Sequence, residues 1–372
     1  MDASAIYKLF GHQGPVLGLA FLEDPLPENV LLTGSLHEAS GFGKFVAYDL
    51  DRFKSTLTSD ALKVDSSPGS KIHQFPGVMS LAQLPSTRQI VVTTVTSQVL
   101  VMELEMGGKI TSNYEVSDSL MEGRDERSNS FLEYKPLYSL LGHEASCPMA
   151  RACKNLVFTA SFDSTAKMFK IPDSKICETY QNGCEPLETL EAVETFVDDP
   201  SHDVYHGRGF NIGVSGLAIS ESGERMVTGG NDMQIKLWDV ASRKIIQRSR
   251  AGDGWPWNIN AVDARLNEAA VSSTDGCIRI WDFRSGQPTY FLNLSQWYSD
   301  VYPISSVLPR VDGCYLVVAS FDSTNYVVDR RMPGRVICQL RGHQDRVGRL
   351  ALKGDLLVSG SFDGTSMLWD FS

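Results

Sequence analysis

Paired cysteines are the first thing the chain lacks. Its seven cysteines, at 147, 153, 177, 184, 277, 314 and 338, include no Cys-x-x-Cys pair. An odd, unpatterned set points away from a disulfide framework or a zinc site and toward reduced thiols packed as small apolar groups. No apolar window approaches the roughly 18 residues of a membrane-spanning helix, so no membrane insertion is expected. Basic charge is also scarce: 34 Lys and Arg face 45 Asp and Glu, a formal net charge of −11. That balance opposes wholesale wrapping of nucleic acid or anionic lipid, because neutralising phosphates takes a basic field. Residues 1–7 have neither the charged nor the apolar region of a secretory signal. Together these absences predict a cytoplasmic or nuclear chain. Phosphate loops, dinucleotide turns and nucleophile elbows are missing where a strand would meet a helix, so no cofactor is expected. His202-x-x-x-His206, with Asp203 between, lacks a third ligand at fixed spacing and predicts no metal.

What the chain does have is repetition. Ser-Phe-Asp-Ser-Thr fills residues 161–165 and 320–324, and Ser-Phe-Asp-Gly-Thr fills 361–365. A chemical motif is usually single, whereas a recurring phrase marks a structural unit copied along the chain. Five copies share one register, in which Asp163, Asp232, Asp275, Asp322 and Asp363 precede Phe169, Trp238, Trp281, Val328 and Trp369 by six residues. Period-two alternation, as in Ile235 and Leu237 or Ile278 and Ile280, marks a strand after each tight turn. Weaker copies at 30–49 and 89–103 bring the number of units to seven. A second phrase, apolar residues ending in Gly-His, stands at 7–12, 138–143 and 338–343, each before another apolar strand.

Gly-His, then Ser or Thr, Asp and Trp-Asp at this spacing resemble the WD-repeat family, whose repeats run about 40–45 residues and form four-stranded blades. The resemblance covers nearly the whole chain and implies one all-β domain over residues 1–372, a seven-bladed WD-repeat β-propeller. It also implies a hydrogen-bonded set of His, Ser or Thr, Asp and Trp in each blade. Only the last unit holds all four, as His343, Ser359, Asp363 and Trp369. Units without the His or Trp are expected to rely on packing. The turn aspartates, Asp163, Asp275 and Asp363 among them, are expected to serve the scaffold and not acid catalysis, since a buried carboxylate must be hydrogen-bonded.

Strict sequence order leaves the last blade one strand short, and an unpaired edge invites aggregation. Residues 5–10 are predicted to fill it by pairing with the strand near 365–370. Seven blades take about 280–315 residues, so the excess is assigned to insertions at about 51–70, 107–135 and 181–208. The first two read as flexible loops by composition. The third is acidic, with Leu187, Leu190, Val193, Phe196 and Val197 at near-helical spacing, and reads as a loop or a short helix docked on a blade.

No catalytic residues are expected, and the chain is read as a non-catalytic interaction scaffold, an adaptor subunit of an intracellular multiprotein complex whose partners are proteins. In the family that the sequence resembles, the joins between blades and the residue before the turn Asp face one rim of the central channel. Here those positions are Phe162, Phe321 and Phe362, with Trp255 and Trp257 at one join and Trp297 and Tyr298 at another. The phenylalanines are expected to point outward as a contact surface, as aromatic groups with few rotatable bonds often do at interface hot spots. The tryptophans fit either a contact surface or the core. Two other readings stay open: a hydrolase-type enzyme with its site in the channel, and nucleic-acid association, through an assembly, by Arg330, Arg331, Arg335, Arg341, Arg346 and Arg349 on a basic outer side.

Overall fold

In the computed structural model the described residues are 5–10, 12–26, 30–36, 45–50, 77–107, 131–172, 188–192, 194–197, 213–250, 256–263, 268–282, 284–285, 287–294, 302–309, 314–332 and 335–371. Every element among them is a β-strand. The strands form seven sheets, and each sheet is a blade whose innermost strand comes first: Val16–Phe21, Val78–Gln83, Met149–Cys153, Val214–Ile219, Pro256–Asp263, Ile304–Pro309 and Val347–Lys353.

Stacking explains why the middle strands read as nearly continuous apolar runs. A blade's second strand has a neighbouring blade on each face, so Val30–Ser35 and Gln89–Thr94 are buried throughout. The outer strand Gln287–Asn293 meets solvent and is mostly exposed. Among the described residues there are seven apolar clusters, and each lies between two consecutive blades. An open row of seven blades has only six such interfaces. The seventh joins the last blade to the first, packing Leu9, Val358 and Leu368 against Leu31, Val46 and Tyr48.

Closure uses the chain's own beginning. Strand Ala5–Leu9 pairs antiparallel with Ser366–Asp370, with Tyr7 opposite Leu368 and Leu9 opposite Ser366. The Tyr48 hydroxyl donates to the Phe10 carbonyl at 3.0 Å, tying the first blade to the end of this strand. The pairing predicted from the unfilled edge is therefore the one found.

The acidic stretch departs from its helical reading. Glu188–Leu190 runs parallel to the outer strand Phe131–Leu140 of the second blade, and Glu194–Val197 forms the outer strand of the third, with Thr165 opposite Val197. Phe196 is buried against Trp238 in an edge-to-face contact, centroids 5.7 Å apart, while Thr195 is exposed. Unpaired donors and acceptors on two blade edges outweigh the local three-residue spacing. The 51–70 insertion and the pair His202 and His206 lie outside the described residues. Five cysteines are described and all are free, with burial pushing the Cys147 and Cys277 thiols up to about 12.

Candidate functional site

Each repeated turn is built around its aspartate. In the third blade one Asp163 oxygen accepts from the Thr165 amide at 2.9 Å and the Thr165 hydroxyl at 2.6 Å. The other meets His143 Nδ1 at 2.7 Å and the Glu144 amide at 3.0 Å. Asp363 repeats the pattern with Thr365, His343 Nδ1 at 3.2 Å and the Gln344 amide. Burial alone would raise both carboxyls, but the hydrogen bonds from the His and Thr side chains and the backbone outweigh it and hold them well below the usual carboxylate range. In the last blade the relay continues inward: Trp369 Nε1 donates to Ser359 Oγ at 3.0 Å, and Ser359 bonds His343 Nε2 at 2.8 Å. His343, Ser359, Asp363 and Trp369 thus form one connected set.

Three blades keep the turn Asp but lack the His, and there the expectation of packing alone is overturned. Asp232 is paired with buried Lys236, Asp275 lies 3.5 Å from Arg279, and Asp322 accepts from the Tyr326 hydroxyl. In every case the partner sits four residues after the Asp, on the following strand. A buried carboxylate without a donor would cost several kcal/mol, about 3–5 for a broken buried ion pair, so a donor from the strand replaces the missing imidazole.

The residue before each Asp is thereby fixed. The amides of Phe162, Phe321 and Phe362 donate to the carbonyls of Ser146, Pro303 and Arg346, each just ahead of the inner strand. The three rings do not point freely outward; all are half-buried. Phe162 lies on Gly213 of the next blade, where an added Cβ would come within 2.5 Å of its ring. Phe362 lies over Gly348 and near Leu17 of the first blade, since a Cβ on Gly348 would meet both side chains. Phe321 reaches Phe362 in an edge-to-face pair, centroids 6.0 Å apart and planes at 72°. Over this pair lies the Arg346 guanidinium, 4.5 Å from the Phe362 centroid and 5.4 Å from that of Phe321. Phe321 and Phe362 therefore form one cluster on the adjoining sixth and seventh blades, while Phe162 belongs to the third, across the channel.

Trp257 falls at a register shift near the start of its inner strand, between Pro256 and Asn258. Leu17 and Gly348 occupy the same place in their blades. Its backbone thus has the register of residues at the channel mouth, where bulges re-aim side chains. Trp255, Trp297 and Tyr298 lie outside the described residues. Tyr302 is 42% exposed and precedes Pro303, whose carbonyl accepts from the Phe321 amide. The sequence groups Arg346 with an outer basic side, although its place three residues after Gly-His, where the inner strand begins, marks it as a rim residue.

That basic side is dispersed. Arg330 pairs with Glu268 of the fifth blade at 2.9 Å, Arg331 with Asp329 at 2.9 Å, and Arg341 bonds Gln339. Arg346 sits at the rim. Arg349 points across the channel, donating to the Pro148 carbonyl of the third blade at 2.9 Å. No described helix is long and apolar enough to cross a membrane, and among the described residues no group of three His, Cys, Asp or Glu could hold a metal ion.

Comparison with known proteins agrees with this architecture. The family model for the WD domain, G-beta repeat, matches residues 203–239 and 334–370, the fourth and seventh blades. A guanine nucleotide-binding protein subunit beta of Nicotiana tabacum is 29% identical over 172 residues, covering 44% of this chain and 45% of the relative. Pre-mRNA-processing factor 19 of Caenorhabditis elegans is 27% identical over 215 residues, 55% of this chain and 41% of the relative. Protein SPA1-RELATED 4 of Arabidopsis thaliana is 26% identical over 139 residues, 37% of this chain and 17% of the relative. The chain thus spans less than half the length of each of these relatives. With seven blades closed in a ring, the Trp369–Ser359–His343–Asp363 relay and two matched repeats, the chain carries WD repeats in a seven-bladed β-propeller and is similar to the WD-repeat family.

Proposed function

We propose that the chain is a non-catalytic protein-interaction platform, a subunit of an intracellular assembly that takes an extended partner segment over the rim of its sixth and seventh blades. The observation that carries this reading is the Phe321–Phe362 pair capped by Arg346. Two rings held against each other on a rigid turn lose little entropy when covered. An edge-to-face pair is worth about 0.5–1.5 kcal/mol beyond its area, and an overlying guanidinium adds a contact selective for carbonyl or carboxylate groups. Trp255, Trp257, Trp297 and Tyr298, at the two joins before this cluster, would extend the same rim, and Phe162 would serve a second contact on the far side. Two relatives, named as a G-protein subunit and a pre-mRNA-processing factor, are consistent with work inside assemblies.

The hydrolase reading calls for general acids and bases at the channel mouth. Strongly shifted groups on that side include Arg151 and Arg349, guanidiniums that do not shuttle protons at neutral pH, and Asp163 and Asp363, carboxylates whose oxygens are already bound within their own turns. Nucleic-acid contact through the late arginines is weakened because Arg330 and Arg331 already face carboxylates.

The test is a Phe321→Ser, Phe362→Ser double variant used as bait beside the unaltered chain in affinity purification. Circular dichroism and thermal melting establish that it is folded. Loss of the co-purifying proteins is expected; retention of every one would remove this surface from the reading.

A further inference from the structure

Arg349 and Arg151 belong to innermost strands on opposite sides of the ring, Val347–Lys353 in the seventh blade and Met149–Cys153 in the third. The Arg349 side chain crosses between blades that are not neighbours, and its Nη2 reaches the Pro148 carbonyl. That contact lies close to the rim: Pro148 is two residues after Ser146, whose carbonyl holds the Phe162 amide, and Gly348, next to Arg349, lies under Phe362. Arg151 follows on the same inner strand and bonds the Ala150 carbonyl through Nη1. Among the described residues Arg349 has a backbone carbonyl as its hydrogen-bond partner and no ion pair. A guanidinium has five N–H donors, and the Pro148 carbonyl takes one of those of Arg349.

From this geometry we propose that the channel mouth between the third and seventh blades is an oxyanion site, in which Arg349 and Arg151 grip a carboxylate or phosphate group. Burial, and then the charge of Arg151, pull the Arg349 guanidinium down to about 9, and burial pulls Arg151 down to about 10. Both stay charged at neutral pH. Two like charges withdrawn from water repel each other, and an anion between them offsets both penalties. Planar guanidiniums match the geometry of carboxylate and phosphate oxygens. The site is cationic in a chain whose formal net charge is −11, so it is a local feature. It goes beyond the aromatic rim and does not depend on any protein partner.

The test uses the full chain at constant ionic strength. Replacing chloride with millimolar inorganic phosphate should raise the melting temperature by about 2–4 °C, as binding to the folded state alone predicts. Arg349→Gln should abolish that rise, and Arg349→Lys should retain part of it. A second arm compares the acetylated, amidated tripeptides Glu-Glu-Glu and Gln-Gln-Gln. A response to phosphate alone assigns the site to phosphate groups, and a response to Glu-Glu-Glu but not to Gln-Gln-Gln assigns it to carboxylates. If Arg349→Gln fails to fold, the ¹⁵Nε resonance of Arg349 in the unaltered chain is followed through the phosphate titration, where a saturable shift is expected. Equal responses of the unaltered chain and Arg349→Gln, no response to any anion, or an unmoved resonance would overturn the proposal.

Discussion

At the scale of single residues, the turn aspartates Asp163 and Asp363 each gather four hydrogen bonds from side chains and backbone. Asp163 and Asp363 are held below their ordinary range, so they favour the folded state while ionised. A carboxylate with a lowered folded value contributes fully above its unfolded value, and the contribution is lost as pH falls through the folded one. Stability should therefore decline below about pH 4. An Asp163→Asn, Asp363→Asn variant should be weaker at neutral pH, by roughly 1–3 kcal/mol for each lost charge-assisted bond. Its deficit should shrink toward pH 2, which urea unfolding at several pH values would reveal; a deficit constant with pH would contradict the assignment. The Asp, its Ser or Thr neighbours and the His were all legible because they recur at fixed spacing. The substitutes Lys236, Arg279 and Tyr326 were not, because three chemically different donors at one register share no letter.

Elements were legible in proportion to how local their causes are. Turn, strand and turn repeat in sequence, so the hairpins of the last four blades could be read directly. The acidic stretch could not, because the force that shapes it lies elsewhere in the chain. Residues 188–190 and 194–197 become strands when the edges of the second and third blades present partners, and a lone segment carries no sign of those edges. Phe196 decides between a structural strand and a decorative loop. It is 2% exposed and packs on Trp238. Phe196→Ala should cost about 3–5 kcal/mol in chemical unfolding, the usual loss for a buried phenylalanine. A change under roughly 0.5 kcal/mol, typical of surface positions, would return the stretch to a loop.

At the scale of the whole molecule, stability is that of a ring. Each blade leans on two others through an apolar cluster, and the cluster around Leu9, Tyr48 and Leu368 is the one that an open array would lack. The need for closure was legible as a missing strand, and its means as a spare one at the start of the chain. The candidate site was read less fully. The phenylalanines were found by their repeat, but their seating on Gly213 and Gly348, the cap of Arg346 and the crossing of Arg349 depend on which blades face each other. That is a property of the ring and not of any repeat.

The most direct test of ring closure is the thermal unfolding of the chain lacking residues 1–10, set beside the full chain. Removing the strand that pairs with Ser366–Asp370 exposes the last blade's edge and unpacks Leu9. Closure by this strand predicts a melting temperature lower by roughly 5–10 °C, with hydrogen exchange rising first in Ser366–Asp370. An unchanged melting temperature would contradict it.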